Sequence, residues 1–194
     1  MENTRLAIKN AIQESINVKQ KIQENPYIID QIISVADKIS DALLSGNKVM
    51  LAGNGGSAAD AQHIAAEFVS RLEKDRPGLA AIALTTDTSI LTAIGNDYGF
   101  ENLFKRQIQA NHRPGDVLIG ITTSGKSKNV LAGFSFARQN GLVTVCLAGE
   151  GGDLDGTVDH LIRVPSNVTT RIQESHILIG HIICQQVEVR LFGA

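Results

Sequence analysis

From Lys48 onward, short apolar runs alternate with stretches of helical length, and this alternation constrains the fold more than any other feature of the chain. The runs are Lys48 to Ala52, Ala80 to Leu84, Val117 to Ile121, Val143 to Leu147 and His160 to Val164. Each is about five residues, the usual strand length. The segments 57–72, 88–110 and 127–139 have helical length, and a last helix is expected from about Thr170 to Leu191. Continuous apolar strands separated by helices make a parallel sheet covered on both faces. The expected fold is therefore α/β, a doubly wound five-stranded parallel sheet with helices on both faces. Two helices should precede it, because Ile8, Ala11, Ile12, Ile16 and then Ile32, Val35, Ile39, Leu43 recur at helical spacing with a break at Asn25-Pro26.

No linker, repeat or low-complexity segment divides the 194 residues, so residues 1–194 are expected to form one domain with a helical extension over about 1–47. A chain of this length can bury a core without disulfides or a structural metal. Eighteen Lys+Arg against 20 Asp+Glu give a net charge of −2, and there is no Trp. Neither a basic footprint nor an aromatic stacking platform is present, so nucleic acid is not expected as a partner. Cys146 and Cys184 lie far apart within apolar runs, as buried thiols in a reducing compartment would. The first residues lack an apolar signal region, and the apolar stretch near Ile177 to Cys184 is short and contains His181. A cytoplasmic protein without a membrane partner is the expectation.

In a doubly wound sheet, ligands bind beyond the carboxyl ends of the strands. After the first strand comes Gly53-Asn54-Gly55-Gly56-Ser57-Ala58, where backbone N–H groups and a helix N-terminus can meet an anion. Gly53, Gly55 and Ala58 also satisfy the dinucleotide pattern G-x-G-x-x-A. That pattern expects an acid about 20 residues on, whereas Asp87 lies nearly thirty past Ala58. A glycine-rich turn serving only strand-to-helix packing is the plainer alternative. After the third strand, Thr122-Thr123-Ser124-Gly125-Lys126-Ser127 places four hydroxyls around one glycine before a helix, a constellation suited to phosphate. An N-cap alone would need only Ser127. Gly95-Asn96-Asp97-Tyr98-Gly99 reads unaided as ordinary turn chemistry.

His63 and Glu67 stand four residues apart, on one helix face, where they could share a metal ion or form an acid/base pair. A surface ion pair is the plainer alternative. Asp60, near the same face, could simply serve the helix dipole. In the apolar last helix, Gln173 and His181 flank His176. A histidine in such a stretch needs a partner. For His176 a satisfied structural role is expected, and the same for His112 and His160.

Gly53 to Ser57 with Asp60, His63 and Glu67, then Arg76-Pro77-Gly78, Gly95 to Phe100, Thr123-Ser124-Gly125-x-Ser127, and Arg171-Ile172-Gln173-Glu174-x-His176 through His181 together resemble the sugar isomerase (SIS) domain family. Within it they are most similar to the sedoheptulose 7-phosphate isomerases. The resemblance spans about Lys48 to Leu191 and implies a zinc enzyme, one ion per subunit. Its implied reaction turns sedoheptulose 7-phosphate into D-glycero-D-manno-heptose 7-phosphate for bacterial surface polysaccharide.

By position, the resemblance assigns zinc to His63, Glu67, Gln173 and His181, and acid/base catalysis to Glu67 and His181. It assigns substrate binding to Asn54, Gly55, Gly56, Ser57, Glu67, Asn96, Asp97, Thr122, Thr123, Ser124, Ser127 and Gln173. It also implies a homotetramer. Thr122 stands where many members carry Ser, keeping the hydroxyl. Two rivals remain: a non-catalytic protein-binding module of the same fold, which need not keep Glu67 or His181, and a dinucleotide-binding oxidoreductase.

On a straight helix, Gln173 and His181 would lie roughly 12 Å apart along the axis and about 80° apart around it. Either the helix starts after Gln173, or the two residues reach a given ion from different chains. Large exposed apolar surfaces are rare on soluble monomers. The surplus apolar residues of the N-terminal and last helices therefore point to a homo-oligomer with sites near subunit boundaries, where different chains could supply Glu67 and His181.

Overall fold

The computed structural model describes residues 2–193. Two helices come first, α1 (Glu2–Gln23) and α2 (Pro26–Leu44), separated where the sequence breaks. The Asn25 side chain accepts from the N–H groups of Tyr27 and Ile28 at 3.0 and 3.4 Å. Pro26 occupies the first turn, where its missing donor costs nothing.

The α/β unit then runs β1 (Val49–Gly53), α3 (Gly56–Val69), β2 (Ala81–Ala83), α4 (Thr88–Tyr98), α5 (Leu103–Asn111), β3 (Val117–Thr122), α6 (Lys128–Gln139), β4 (Val143–Ala148), β5 (His160–Arg163) and α7 (Thr169–Phe192). The sheet order is β2-β1-β3-β4-β5. Every pairing is parallel, with Val49 opposite both Ala81 and Val117. The five expected strands are all present.

Because successive strand residues point to opposite faces, the sheet divides one sequence pattern between two cores. Val49, Leu51, Val117, Ile119, Ile121, Val145 and Leu147 face α1, α2, α3 and α7. Met50, Ala52, Leu118, Cys146 and Ala148 face α5 and α6. Both cysteines are buried and unpaired, as expected, and burial pushes each thiol up to about 12.

One element departs from the expectation. The stretch 88–110 is not one helix: Gly99 adopts φ +83°, a conformation that breaks it, and a 3-10 turn at Phe100–Asn102 leads into α5. Gly95 to Tyr98 thus form the last turn of α4 rather than a polar turn.

Candidate active site

The strand order reverses direction between β1 and β3, so the loops that follow these two strands diverge and leave a crevice at the carboxyl edge of the sheet. Both loops singled out in the sequence open there. Gly55, at φ +56°, turns the chain from β1 into α3. A Cβ on Gly56 would stand 2.4 Å from Nε2 of Gln173, so the missing side chain lets the α7 amide lie on the loop. Ser57 is buried, and its N–H closes the turn onto the Asn54 carbonyl at 3.0 Å.

The two loops are tied to each other. Asn54 and Asn129 exchange side-chain amide hydrogen bonds at 2.9 and 2.8 Å, and Asn129 also accepts from the N–H of Val130. Asn129 is 2% exposed, a polar side chain buried at the start of α6. The sequence reading passed over it. The signal was its place, two residues past the hydroxyl-rich loop in the first turn of α6, where an amide can bond a neighbouring loop.

At the β3 loop, Thr122 is buried and its hydroxyl is engaged by Ser127 Oγ at 3.0 Å. Thr122 thus braces Ser127, while Thr123 and Ser124 lie further out, half-buried and exposed. Ser127 holds the N-cap position of α6, yet its side chain makes no cap hydrogen bond. The plain N-cap alternative therefore does not account for its hydroxyl. Lys126 is exposed, and its N–H donates to Ser124 Oγ.

α3 and α7 run side by side in the same direction. Gly56 meets Gln173, Ile64 meets Gly180, and His63 meets His181. A Cβ on Gly180 would stand 2.5 Å from Ile64 Cδ1, so glycine there permits the close approach. His63 Nε2 lies 3.1 Å from Glu67 Oε1 and 3.4 Å from His181 Nε2. One donor atom from each of the three falls within 4.8 Å of the others, the geometry of a set that can hold one metal ion. Two imidazoles and a carboxylate are a donor set that suits zinc. Glu67 is half-buried and His63 exposed, so the group opens to solvent on one side.

All three side chains of this group come from one chain, so Glu67 and His181 of a single chain can serve the same site. α7 is already helical at Gln173, so the alternative that its helix starts later fails, and Gln173 and His181 of one chain stand about two turns apart on it. Gln173 sits two turns above His181, at the loop end of the groove.

Asp60 belongs to this face as well. It lies in the second turn of α3, past the position where it would serve the helix dipole. Its Oδ2 is buried without a hydrogen-bond partner among the described residues. Burial raises its carboxyl above the usual range, with His63 opposing. Asn96 and Asp97 lie exposed at the end of α4, bonded to each other at 2.7 Å. Beside them a cavity of about 520 Å³ opens between the β1 loop and α4, lined by Asn54, Gly55, Thr85, Thr92, Gly95 and Phe100 among others.

The remaining three histidines lie outside this group. His112 donates from Nδ1 to the Ile108 carbonyl at 3.0 Å. His176 is fully buried, but it is not the satisfied histidine expected, for both ring nitrogens lack a hydrogen-bond partner among the described residues. His160 likewise has an unpartnered Nδ1.

A family model described as SIS domain matches residues 12–149, more than half of the chain. The chain belongs to the SIS domain family. Among its SIS relatives, phosphoheptose isomerase 2 of Campylobacter jejuni is 57% identical over 194 residues, covering 100% of this chain and 96% of its own. The solved phosphoheptose isomerase of Neisseria gonorrhoeae superposes with a TM-score of 0.87 at 42% identity, covering 97% of this chain and 99% of the other. That of Francisella tularensis gives 0.89 at 36% identity, with 95% and 97% covered. These likenesses run the length of the SIS chain, including the two N-terminal helices, and they leave no role for the dinucleotide alternative. Among the described residues, no helix is long and apolar enough to cross a membrane.

Proposed function

We propose that this protein is a phosphosugar isomerase that converts sedoheptulose 7-phosphate to D-glycero-D-manno-heptose 7-phosphate. The observation that carries the reading is the meeting of Glu67 with His63 and His181 beside two anion-suited loops. The phosphoheptose isomerase names of relatives that match end to end support the substrate class. The surface-polysaccharide destination of the product rests on the resemblance of the motifs.

The conversion moves a carbonyl from C2 to C1. Glu67 takes the proton from C1, and the electron pair left behind forms the enediolate as the C2 oxygen gains negative charge. Return of that proton to C2, with loss of the C1 hydroxyl proton, completes the aldose. His181 carries the proton between the two oxygens. Ser124, Ser127 and the N-terminus of α6 receive the 7-phosphate, and Asn54, Gly55, Gly56, Asn96, Asp97 and Thr123 receive the polyol. Thr122 enters through its hold on Ser127.

His63, Glu67 and His181 would hold a zinc ion, and Gln173, which the resemblance also assigns to it, stands two turns along α7 and would join that ion from a neighbouring chain. Bound zinc would supply Lewis-acid polarisation of the substrate oxygens. The test is incubation of sedoheptulose 7-phosphate with the purified protein, before and after chelation and after zinc is restored. The expected result is an aldoheptose 7-phosphate that disappears with the chelator and returns with zinc. A folded, zinc-loaded protein that releases no aldose would overturn the reading.

A further inference from the structure

Arg76-Pro77-Gly78 stands out in the sequence, yet neither loop nor the His63–Glu67–His181 group uses it. In the structure this motif closes the end of α3. The last carbonyls of any helix lack intrahelical donors. Here one guanidinium supplies them: Arg76 Nη2 donates to the Glu67 carbonyl at 2.8 Å and Nη1 to the Phe68 carbonyl at 2.6 Å. Gly78 lies so close that a Cβ would stand 2.8 Å from the Val69 carbonyl oxygen.

The same guanidinium reaches α7. Its Nε donates to Glu188 Oε1 at 2.9 Å, with both side chains 2% exposed. Glu188 also accepts the N–H groups of Leu72, Glu73 and Lys74 at 3.0, 3.1 and 3.3 Å. Burial alone would push its carboxyl up, but the three backbone donors and Arg76 outweigh this and hold it below the usual range. Glu188 follows His181 by seven residues, within about 20° of two full turns of α7. An unbroken line therefore runs from the Glu67 backbone through Arg76 and Glu188 to the helix face that carries His181.

A buried ion pair is a poor source of stability, since apolar residues of similar volume often serve as well or better. What it provides is fixed length and direction, and the planar fork of arginine is suited to that. We propose that Arg76 and Glu188 are a positioning pair that sets the separation of Glu67 and His181. The inference rests on the isomerase reading above.

The experiment compares wild type with Arg76→Lys and with the double variant Arg76→Met/Glu188→Leu. Its readouts are kcat and KM for sedoheptulose 7-phosphate, Tm, and the visible absorption of Co²⁺ titrated into metal-free protein. Groups that orient metal ligands typically govern affinity or activity by about 10–100-fold. Arg76→Lys should lose that much in kcat and in Co²⁺ affinity, with KM within about twofold. The double variant should recover the wild-type Tm and still show both losses. A folded Arg76→Lys with wild-type kcat and Co²⁺ affinity overturns the proposal. If Arg76→Lys does not fold, the double variant decides in the same way. A wild type that does not isomerise the substrate defeats the functional reading, while the ratio of Co²⁺ affinities still reports on the pair.

Discussion

Glu67 faces His63 at 3.1 Å, and in the proposed mechanism it also takes a proton from the substrate. Glu67→Gln keeps the shape and removes the base. It should lower kcat by about 10²–10⁴-fold, the usual worth of a general base, with Tm little changed. Near-normal turnover by the folded variant would take Glu67 out of the mechanism. His181→Ala should be similarly inactive. Since both groups belong to one chain, the two variants should not rescue each other when co-expressed in mixed oligomers, a result that an activity assay on the mixture reads directly.

His176 carries a different cost. Burial pushes its pKa down to about 4. An unfolded histidine takes up its proton near pH 6.5, so between those two values the unfolded chain binds more protons than the folded one. Stability is therefore whole above about pH 6.5 and falls as the pH drops toward 4, by up to about 3 kcal/mol from this group. In metal-free protein, Tm should decline from pH 7 to 5 in wild type and decline less in His176→Leu. Identical slopes would remove His176 as the cause.

Among elements, the β1 loop and the start of α6 act as one body because Asn54 and Asn129 hold each other. Loss of two hydrogen bonds, each worth about 1 kcal/mol net, should let the loop drift. Asn129→Ala is expected to raise KM about tenfold, near 1.4 kcal/mol, with kcat less affected. An unchanged KM would mean that Asn54 needs no partner. The α6 N-terminus itself is tested by replacing Ser124 and Ser127 with Ala. KM for the 7-phosphate should rise strongly, while free sedoheptulose, expected to be a poor substrate of wild type, should be little affected. Equal KM values for the two sugars in wild type would remove the phosphate role from this loop.

For the whole molecule, the outer surface of α1 is the open question. Leu6, Ile8, Ile12 and Ile16 are 58, 56, 57 and 43% exposed, and only Val18 and Ile22 of this helix are buried. Ile29 and Ile33 of α2 are exposed as well. Surfaces of this kind on soluble proteins are covered by partners, and the proposed partner is a second copy, with the tetramer implied by the family resemblance. Light scattering on the purified protein should give a multiple of 20.8 kDa, and Ile8→Glu/Ile12→Glu should shift it to smaller species. An active wild-type monomer would refute the assembly.

The strands and most helices were legible because their signals are local: five short apolar runs, a capped break at Asn25-Pro26, and periodic helix faces. The pairing of His63 with Glu67 was legible for the same reason, since four residues on a helix bring two side chains to one face. Gly99 was harder, for a single positive φ decides whether 88–110 is one helix or two, and the flanking residues favour helix on both sides. What only the tertiary structure decided are the meetings of groups far apart in the chain. His181 joins His63 because α3 and α7 pack in parallel with Gly180 at the crossing. Asn129 faces Asn54 because β1 and β3 are neighbours in the sheet. Arg76 reaches Glu188, more than a hundred residues on, because the segment that follows α3 packs against α7. Sequence period fixes which face a side chain occupies, but the packing of one face against another depends on contacts that no local spacing encodes.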